Sequence, residues 1–516
     1  MPPHHRLEIL GEVRACDQVV RLNLDPSKPY SPRGEGDLWP GRATYIHEWA
    51  HYFQYTTTPA GLLISRWRRE AFWELLRVTT GLGDRPLPAV ESLRDEPWAR
   101  AKFSSYYSTL EMIGEIWAPW QINLDKYPPE FERVELTPQG LRVHFPRGTR
   151  SLELPLGFQQ FSEGFAWMCE QINLHGTALS EPPRSLATLT YTWGYWALDD
   201  RLGGIPRNAV AMRCWDVMNL LMLGALYDHS FIEMSTTRNP DLTHQKIVTE
   251  FAKKRISLPR FIFQAFFSIS RLEQQLGRHP RRPYTAHANF LRELGLPAPD
   301  DILAGTLAFS QDLRNRAMRT VDEGHRGFNE HLKAEVELWE TSIHNLEVLR
   351  GSLNTALGNP YDLHKAFHRP IATHIHEGGH HWYVVVDHEP IPAHERPIHI
   401  ERSMLRQNGI SILEHIVHQI AFSDHLACYG SPEWTQPINE CPFAESCMAH
   451  RDKQGIEFCK DTDWRARIAT IFMLARSPRD KDFSPAMNHR NTKILGLEEA
   501  FEDLRTKVLR EEGLLG

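Results

Sequence analysis

The sequence has few cysteines, and it has no hydrophobic run long enough to cross a bilayer. Seven cysteines in 516 residues are a sparse and odd-numbered set, which argues against a disulfide framework and favours a reducing compartment with free or metal-bound thiols. The longest apolar run, residues 217–227, is too short for a membrane helix and contains Asn219. The first residues lack the apolar segment of a secretory signal. We therefore expect a cytoplasmic protein without a membrane span.

The sequence also has little net charge. The chain holds 58 Lys and Arg against 65 Asp and Glu, which gives a formal net charge of -7. This balance gives no reason to expect a nucleic-acid partner. Hydrophobic residues make up 41% of the chain and include 15 Trp, so a sizeable core can form. The length favours two to four domains, or one large domain with insertions.

The motif His-Glu-x-x-His occurs at residues 47–51, in a stretch with the features of a helix. A Pro-Gly pair at residues 40–41 interrupts the chain just before it. Apolar residues then recur with a helical period. Pro59 follows, and the residue directly before a proline rarely adopts α-helical backbone angles. The sequence predicts a helix over about residues 42–55.

The chemistry of this motif depends on its being helical. Residues four apart on a helix lie on one face, so His47 and His51 can bind one metal ion. Glu48 can reach a water on that metal without becoming a ligand. In zinc hydrolases the metal lowers the pKa of this water, and the glutamate takes its proton. The alternative is that both histidines are ordinary polar residues of an amphipathic helix.

A second predicted helix, over residues 156–174, contains a candidate third ligand. Five apolar residues repeat along it at steps of three and four and form one continuous apolar face. Glu163 lies on another face that is also largely apolar. A carboxylate buried there needs a partner, since burying it alone is expensive, and a cation held by His47 and His51 would be such a partner. Pairing with an arginine, or a place at a solvated edge, is the alternative.

The two helices together resemble the zincin metallopeptidases of the gluzincin kind. The resemblance is carried by the motif at residues 47–51 and by Glu163-Gly164-x-Ala166 far downstream on a helix, and it covers about the first 230 residues. It implies a zincin-like fold, zinc as the cofactor, and a peptide or protein as the substrate. It also implies three zinc ligands and one general base, which would be His47, His51, Glu163 and, as the base, Glu48.

One position departs from the family pattern. Many gluzincins carry an Asp four residues after the ligand Glu, where it orients a zinc-binding histidine. Here that position is Trp167. Another acid must take the role, and Glu170 is a candidate.

A peptidase also needs a hydrogen-bond donor for the oxyanion that forms during attack on the carbonyl. The resemblance implies a Tyr or a His in this role. The candidates are Tyr191, Tyr195 and His229, and each of them can equally be a structural residue.

A second His-Glu-x-x-His occurs at residues 376–380, but its middle pair is Gly-Gly. Two glycines inside a helix cost about 2 kcal/mol relative to Ala. Gly-Gly is favoured in two-residue hairpin turns, and three consecutive valines follow. We expect a β-hairpin over residues 372–387 with its turn at residues 378–379. The other interpretation is a second metal site, whose ligands would be His376, His380, Glu414 and His418.

Four of the seven cysteines fall close together near the C-terminus, at Cys428, Cys441, Cys447 and Cys459. They lack the closely spaced pairs of ordinary zinc ribbons. Four soft ligands so near one another still predict a structural zinc ion or an iron–sulfur cluster. Unlinked thiols are the alternative.

The predicted elements place the chain in the α+β class. Helices predominate, and among them are the zincin-like metal-binding helices. Residues 133–154 alternate apolar and polar side chains in three short runs, which predicts a small antiparallel sheet. Residues 1–40 have a loop-like composition, and the C-terminal region is rich in His and Cys.

We expect three domains. They are a metallohydrolase domain over residues 1–235, a helical connecting domain over residues 236–360, and a His/Cys-rich domain over residues 361–516. Residues 331–357 combine a long helical pattern with alternating charges, which is typical of a solvated helix or one that binds a protein partner.

Three functions are compatible with these patterns. The leading one is a zinc-dependent peptidase or amide hydrolase that uses a metal-activated water. A second is an iron-dependent oxygenase, which would be of the di-iron kind if the two Glu-x-x-His motifs and the carboxylates of Glu163 and Glu414 act together. The third is a non-catalytic scaffold whose metal sites only stabilise the fold.

Overall fold

Helices make up most of the residues that the computed structural model describes, and these residues also form one mixed and one antiparallel sheet. The residues described are 11–13, 18–22, 41–66, 69, 126–146, 151–176, 181–203, 206–224, 260–279, 282–295, 297–322, 329–376, 379–386 and 389–392. The α+β character and the predominance of helix are thereby confirmed.

The helices are named in chain order. They are α1 Arg42–Thr57, α2 Phe158–His175, α3 Leu189–Leu202, α4 Arg207–Gly224, α5 Ile269–Arg278, α6 Pro283–Glu293, α7 Pro299–Asp322, α8 Asn329–Gly351 and α9 Leu353–Gly358. Residues 59–66 and 260–267 are also helical. The strands are β1 Gly11–Val13, β2 Val20–Leu22, β3 Arg133–Thr137, β4 Gly140–His144, β5 Leu152–Pro155, β6 Ile371–His376, β7 Gly379–Val386 and β8 Glu389–Pro392.

Helix α1 carries the first motif and is buried on almost every side. It packs against α2, α8, β1 and β2, and its buried side chains include Tyr45, Ile46, Trp49, Tyr52, Phe53 and Tyr55. Glu48, His51 and Gln54 are buried with them, and polar groups in such a position need partners. The predicted helix is confirmed, and Thr58, which precedes Pro59, has extended backbone angles as the proline rule predicts.

The small antiparallel sheet is also confirmed. It consists of β3, β4 and β5, paired in chain order. Its buried side chains, Val134, Leu141, Val143 and Leu154 among them, belong to the same hydrophobic cluster as the side chains of α1 and α2. Helix α2 follows this sheet directly, so the sheet fixes where α2 begins.

A second sheet, of five strands, was not expected. Its order is β1-β2-β6-β7-β8, with β2 and β6 parallel and the other pairs antiparallel. The loop-like interpretation of residues 1–40 is therefore wrong for β1 and β2. These strands have three residues each, too few for an alternating pattern to be recognised.

Strands β6 and β7 form the hairpin that the sequence predicts. His376 pairs with Gly379 and His380 pairs with Ile375, so Gly379 belongs to a strand and not to the turn. Because His376 and His380 lie on paired strands, they are not one helical turn apart. A second metal-binding helix at this motif is excluded, while Glu414 and His418 lie outside the described residues.

The long helix predicted over residues 331–357 consists of α8 and α9, which Ser352 separates. One face of α8 is buried and packs against α7 and α1, with Leu338, Trp339 and Leu346 in the core. A protein partner on its other face stays a prediction.

The predicted domain boundaries also stay predictions. Strands β2 and β6 come from the first and the third predicted domain and pair in one sheet. The four C-terminal cysteines lie outside the described residues. Within the part of the chain that is described, no helix is long and apolar enough to cross a membrane.

A buried amide links α1 to α8 and to the chain that leads into β6. The amide nitrogen of Asn345 on α8 donates to the hydroxyl oxygens of Tyr52 and Thr56, each at 3.1 Å. Its carbonyl oxygen accepts from the backbone N–H of His368 at 2.8 Å, and the hydroxyl of Tyr52 donates to the carbonyl oxygen of His368. Asn345 thus joins α1, α8 and the chain that leads into β6.

Replacing Asn345 with Ala should destabilise the fold, because buried donors and acceptors lose their partner. We expect a loss of about 1–3 kcal/mol in the free energy of unfolding, measured by urea denaturation. The matched control is Asn315→Ala at an exposed position of α7, which should be neutral or slightly stabilising because Ala favours helix. Equal effects of the two substitutions would contradict this account of Asn345.

Candidate metal centre

Helices α1 and α2 bring His47, His51 and Glu163 together. The Nε2 atom of His47 lies 3.2 Å from Oε2 of Glu163, and the Nε2 atom of His51 lies 3.4 Å from the same oxygen. Among the described residues, these three are the group of His, Cys, Asp and Glu side chains with the geometry to hold a metal ion. Two imidazoles one turn apart on α1 therefore face one carboxylate on α2.

The spacing of these atoms fits a zinc ion. Zinc binds imidazole nitrogen at about 2.0–2.1 Å and carboxylate oxygen at about 2.0–2.2 Å, so two ligand atoms of a tetrahedral site lie about 3.4 Å apart. The two nitrogen–oxygen distances here are 3.2 and 3.4 Å. Three protein ligands would leave the fourth tetrahedral position open, as in catalytic zinc sites.

The packing of α2 against α3 and α4 sets the direction of Glu163. A Cβ atom at the neighbouring Gly164 would lie 2.8 Å from the indole nitrogen of Trp193 and 3.1 Å from Cε of Met218. The same indole N–H donates to the carbonyl oxygen of Gln160 at 2.7 Å. The close approach at Gly164 holds one side of α2 on α3 and α4, while Glu163 faces α1.

The charges of the three ligand residues compensate one another. Burial by itself lowers the pKa of His47, but hydrogen bonds to Glu163 and Glu170 outweigh it and raise the pKa well above its ordinary value. Burial would raise the pKa of Glu163, but the charges of His51 and His47 lower it. Metal binding here would release protons, because imidazole must be neutral to act as a ligand.

The second ring nitrogen of His47 faces a carboxylate. Its Nδ1 atom lies 3.3 Å from Oε2 of Glu170, which comes two helical turns after Glu163 on α2. Glu170, the acid candidate named from the sequence, thus lies within hydrogen-bond distance of this ring, although Trp167 occupies the position at which gluzincins often have an Asp.

The second ring nitrogen of His51 has neutral partners that sequence reasoning missed. Its Nδ1 atom lies 3.0 Å from Oε1 of Gln54 and 3.0 Å from Oγ of Ser162. The hydroxyl of Ser162 donates to Oε1 of Gln54, and the amide of Gln54 donates to the carbonyl oxygen of Ser162 at 3.1 Å. The sequence positions of both residues could have indicated them, because Gln54 lies one turn after His51 and Ser162 directly precedes Glu163.

Glu48 lies beside the three ligand residues without joining them. It is buried, with 5% of its surface exposed, and its charge helps to raise the pKa of both His47 and His51. Strand β1 covers it, since a Cβ atom at Gly11 would lie 2.6 Å from both Cγ and Oε1 of Glu48.

Two of the three oxyanion-donor candidates belong to the described residues, and of these Tyr191 lies at this centre. Its ring centroid lies 5.8 Å from that of His47. Burial raises the pKa of its phenol, and the carboxylates of Glu163, Glu48 and Glu170 raise it further. Tyr195 packs edge-on against Trp196, and burial together with the charges of Asp199 and Glu181 raises its pKa to about 12. His229 lies outside the described residues.

Comparison with known proteins finds no matching family model, no significantly similar curated protein and no significantly similar solved structure.

Replacing Glu170 with Gln should weaken zinc binding. The substitution keeps the size of the side chain but removes the charge that holds the ring of His47. Loss of such a partner commonly costs about 10–100-fold in metal affinity, which competition with a chromogenic chelator would measure. Glu153→Gln on the exposed face of β5 is the control and should bind zinc like the wild type. Unchanged affinity in Glu170→Gln would show that Glu170 does not orient His47.

Proposed function

We propose that the chain is a zinc-dependent peptidase or amide hydrolase that acts on peptides or proteins. The observation that carries the proposal is that one oxygen of Glu163 faces the Nε2 atoms of both His47 and His51, with Glu48 buried beside them. The proximity of these four residues on two helices supports the roles that the resemblance to gluzincins implies for them.

In this proposal His47, His51 and Glu163 hold the zinc ion. A bound zinc ion would act as a Lewis acid that polarises the substrate carbonyl and lowers the pKa of water. Glu170, Gln54 and Ser162 fix the two imidazole rings from behind through hydrogen bonds. The ring orientations are thus set before metal or substrate arrives.

Glu48 moves the proton. Its carboxylate accepts a proton from the attacking water as the oxygen of that water bonds to the carbonyl carbon. It then delivers the proton to the amine nitrogen as the carbon–nitrogen bond breaks. Glu48 returns to the carboxylate, so the residue is regenerated in each turnover.

Tyr191 stabilises the developing oxyanion. A tyrosine hydroxyl is protonated at neutral pH, since its ordinary pKa is about 10, so Tyr191 can donate a hydrogen bond to an oxygen that gains negative charge. Its place beside His47 puts the donor next to the metal ligands.

A second candidate function is a scaffold that zinc stabilises without catalysis. The burial of Glu48 under β1 favours it, because a general base must reach a substrate water. Hydrolysis distinguishes the two candidate functions. A scaffold loses stability when the metal is removed, but it hydrolyses no peptide. The di-iron arrangement is not proposed, because His376 and His380 lie on paired strands.

Glu48→Gln should retain zinc and lose hydrolysis. Gln cannot accept the proton, and the three ligands are untouched. We expect the same zinc content per chain as in the wild type by elemental analysis, and cleavage of fluorescein-labelled casein and of fluorescence-quenched peptides reduced at least about 100-fold. Glu153→Gln, outside the centre, should keep full activity. An active Glu48→Gln variant would rule out this role for Glu48.

Tyr191→Phe should lower kcat with little change in KM. Loss of one oxyanion donor typically costs about 100- to 1000-fold in kcat. Tyr195→Phe removes the same hydroxyl one turn further along α3 and should behave like the wild type in the same peptide assay. If both variants lose activity equally, or neither does, the donor role of Tyr191 is wrong.

A further inference from the structure

The first residue of β1 lies directly against the side chain of Glu48. A Cβ atom at Gly11 would be 2.6 Å from Cγ and 2.6 Å from Oε1 of Glu48, and 2.7 Å from Cγ2 of Thr44. Real Cβ atoms do not approach other heavy atoms so closely, so something would have to shift. Space for a side chain at position 11 is therefore already taken by two residues of α1.

The backbone conformation does not explain the glycine. Gly11 is absent from the positive-φ glycines among the described residues, so an Ala could adopt its backbone angles. Glycine inside a strand weakens the strand and often marks a point where another group approaches closely. At Gly11 the group that approaches is the carboxyl end of Glu48.

Strand pairing holds Gly11 in this place. Gly11 pairs with Leu22, and Val13 pairs with Val20. Val13, Val20 and Leu22 are all buried in the core, so β1 cannot move away from α1 without exposing apolar surface. The distance between β1 and Glu48 is thus fixed by the sheet.

We propose that Gly11 is a positioning residue for Glu48: β1 closes on the carboxyl group of Glu48, and the missing side chain at position 11 leaves the space that this group needs to stay beside His47, His51 and Glu163. This inference rests on the proposed role of Glu48 as proton acceptor. Its packing half is that Gly11 packs against Glu48. Its catalytic half is that this contact sets the direction of the Glu48 carboxylate.

Stability measurements test the packing half without any substrate. In the wild-type background, Gly11→Ala should lower the folding equilibrium constant about ten- to a hundredfold, as overpacking does. In a Thr44→Ser/Glu48→Ala background both obstructing groups are gone. There the same substitution should raise the constant about two- to fivefold, since Ala is better than Gly inside a strand. The added methyl group should thus destabilise the fold in the wild-type background and stabilise it in the Thr44→Ser/Glu48→Ala background.

Gly277→Ala is the matched control. Gly277 lies within α5 and has nothing within 4 Å of its Cβ position, so the substitution should stabilise both backgrounds equally. Equal destabilisation by Gly11→Ala in the two backgrounds would overturn the inference, because the contact with Glu48 and Thr44 would then not be the reason for the glycine.

Hydrolysis tests the catalytic half. Using the quenched peptide that the wild type cleaves best, Gly11→Ala should keep the zinc content and the KM of the wild type, but lose about a hundredfold in kcat, since a misplacement of about 1 Å has that cost. Glu48→Asp shortens the acid by one methylene. The double variant Gly11→Ala/Glu48→Asp should exceed the kcat expected from multiplying the two single effects.

A merely structural role of Gly11 would not produce this rescue. Wild-type kcat in Gly11→Ala, or a double variant no better than the product of the single effects, would overturn the catalytic half. If the wild type cleaves no peptide, the proposed function fails and the catalytic half fails with it. The reversal of sign in stability still decides whether Gly11 packs against Glu48.

Discussion

The candidate metal centre depends on one carboxylate oxygen, Oε2 of the largely buried Glu163, which lies within 3.4 Å of the Nε2 atoms of two histidines on another helix. A carboxylate removed from water without a partner is expensive, and so are two imidazolium groups in the same surroundings. Together they compensate one another, which the raised pKa of His47 and the lowered pKa of Glu163 express. A divalent cation can replace the protons on the two histidines at the same position. The arrangement proposed to bind zinc is thus also one in which the charges of His47, His51 and Glu163 compensate one another without a metal.

Close packing behind each helix keeps this arrangement in place. Gly164 lets α2 approach Trp193 and Met218. Asn345 links α1 to α8 and to the chain before β6. The ligand histidines are held from behind by one carboxylate and by two neutral side chains. Rigid elements with supported ligands are what a metal site needs to bind tightly and to orient a substrate. The same rigidity buries Glu48 under β1, so the proposed base is held in one direction.

Features with a strong local cause could be predicted from the sequence. The helix of the first motif and that of Glu163 follow from apolar residues at helical period, and the hairpin at the second motif follows from the cost of two glycines in a helix. Even there, Gly379 falls in a strand and not in the turn. Contacts between distant segments could not be predicted. Strands β1 and β2 are too short to show a pattern, and nothing local indicates that Gly11 lies on Glu48. The partners of His51 lay next to predicted ligands, yet only the packing of α1 on α2 brings Ser162 to that ring.

The most direct test of the central claim is to locate the metal. Crystals grown with zinc should give an anomalous-difference peak at the zinc absorption edge, about 2.0–2.2 Å from Nε2 of His47, Nε2 of His51 and a carboxylate oxygen of Glu163. The peak should be lost in crystals of Glu163→Ala/His51→Ala grown in the same way. Zinc bound only elsewhere in the chain, with no peak between α1 and α2, would contradict the account.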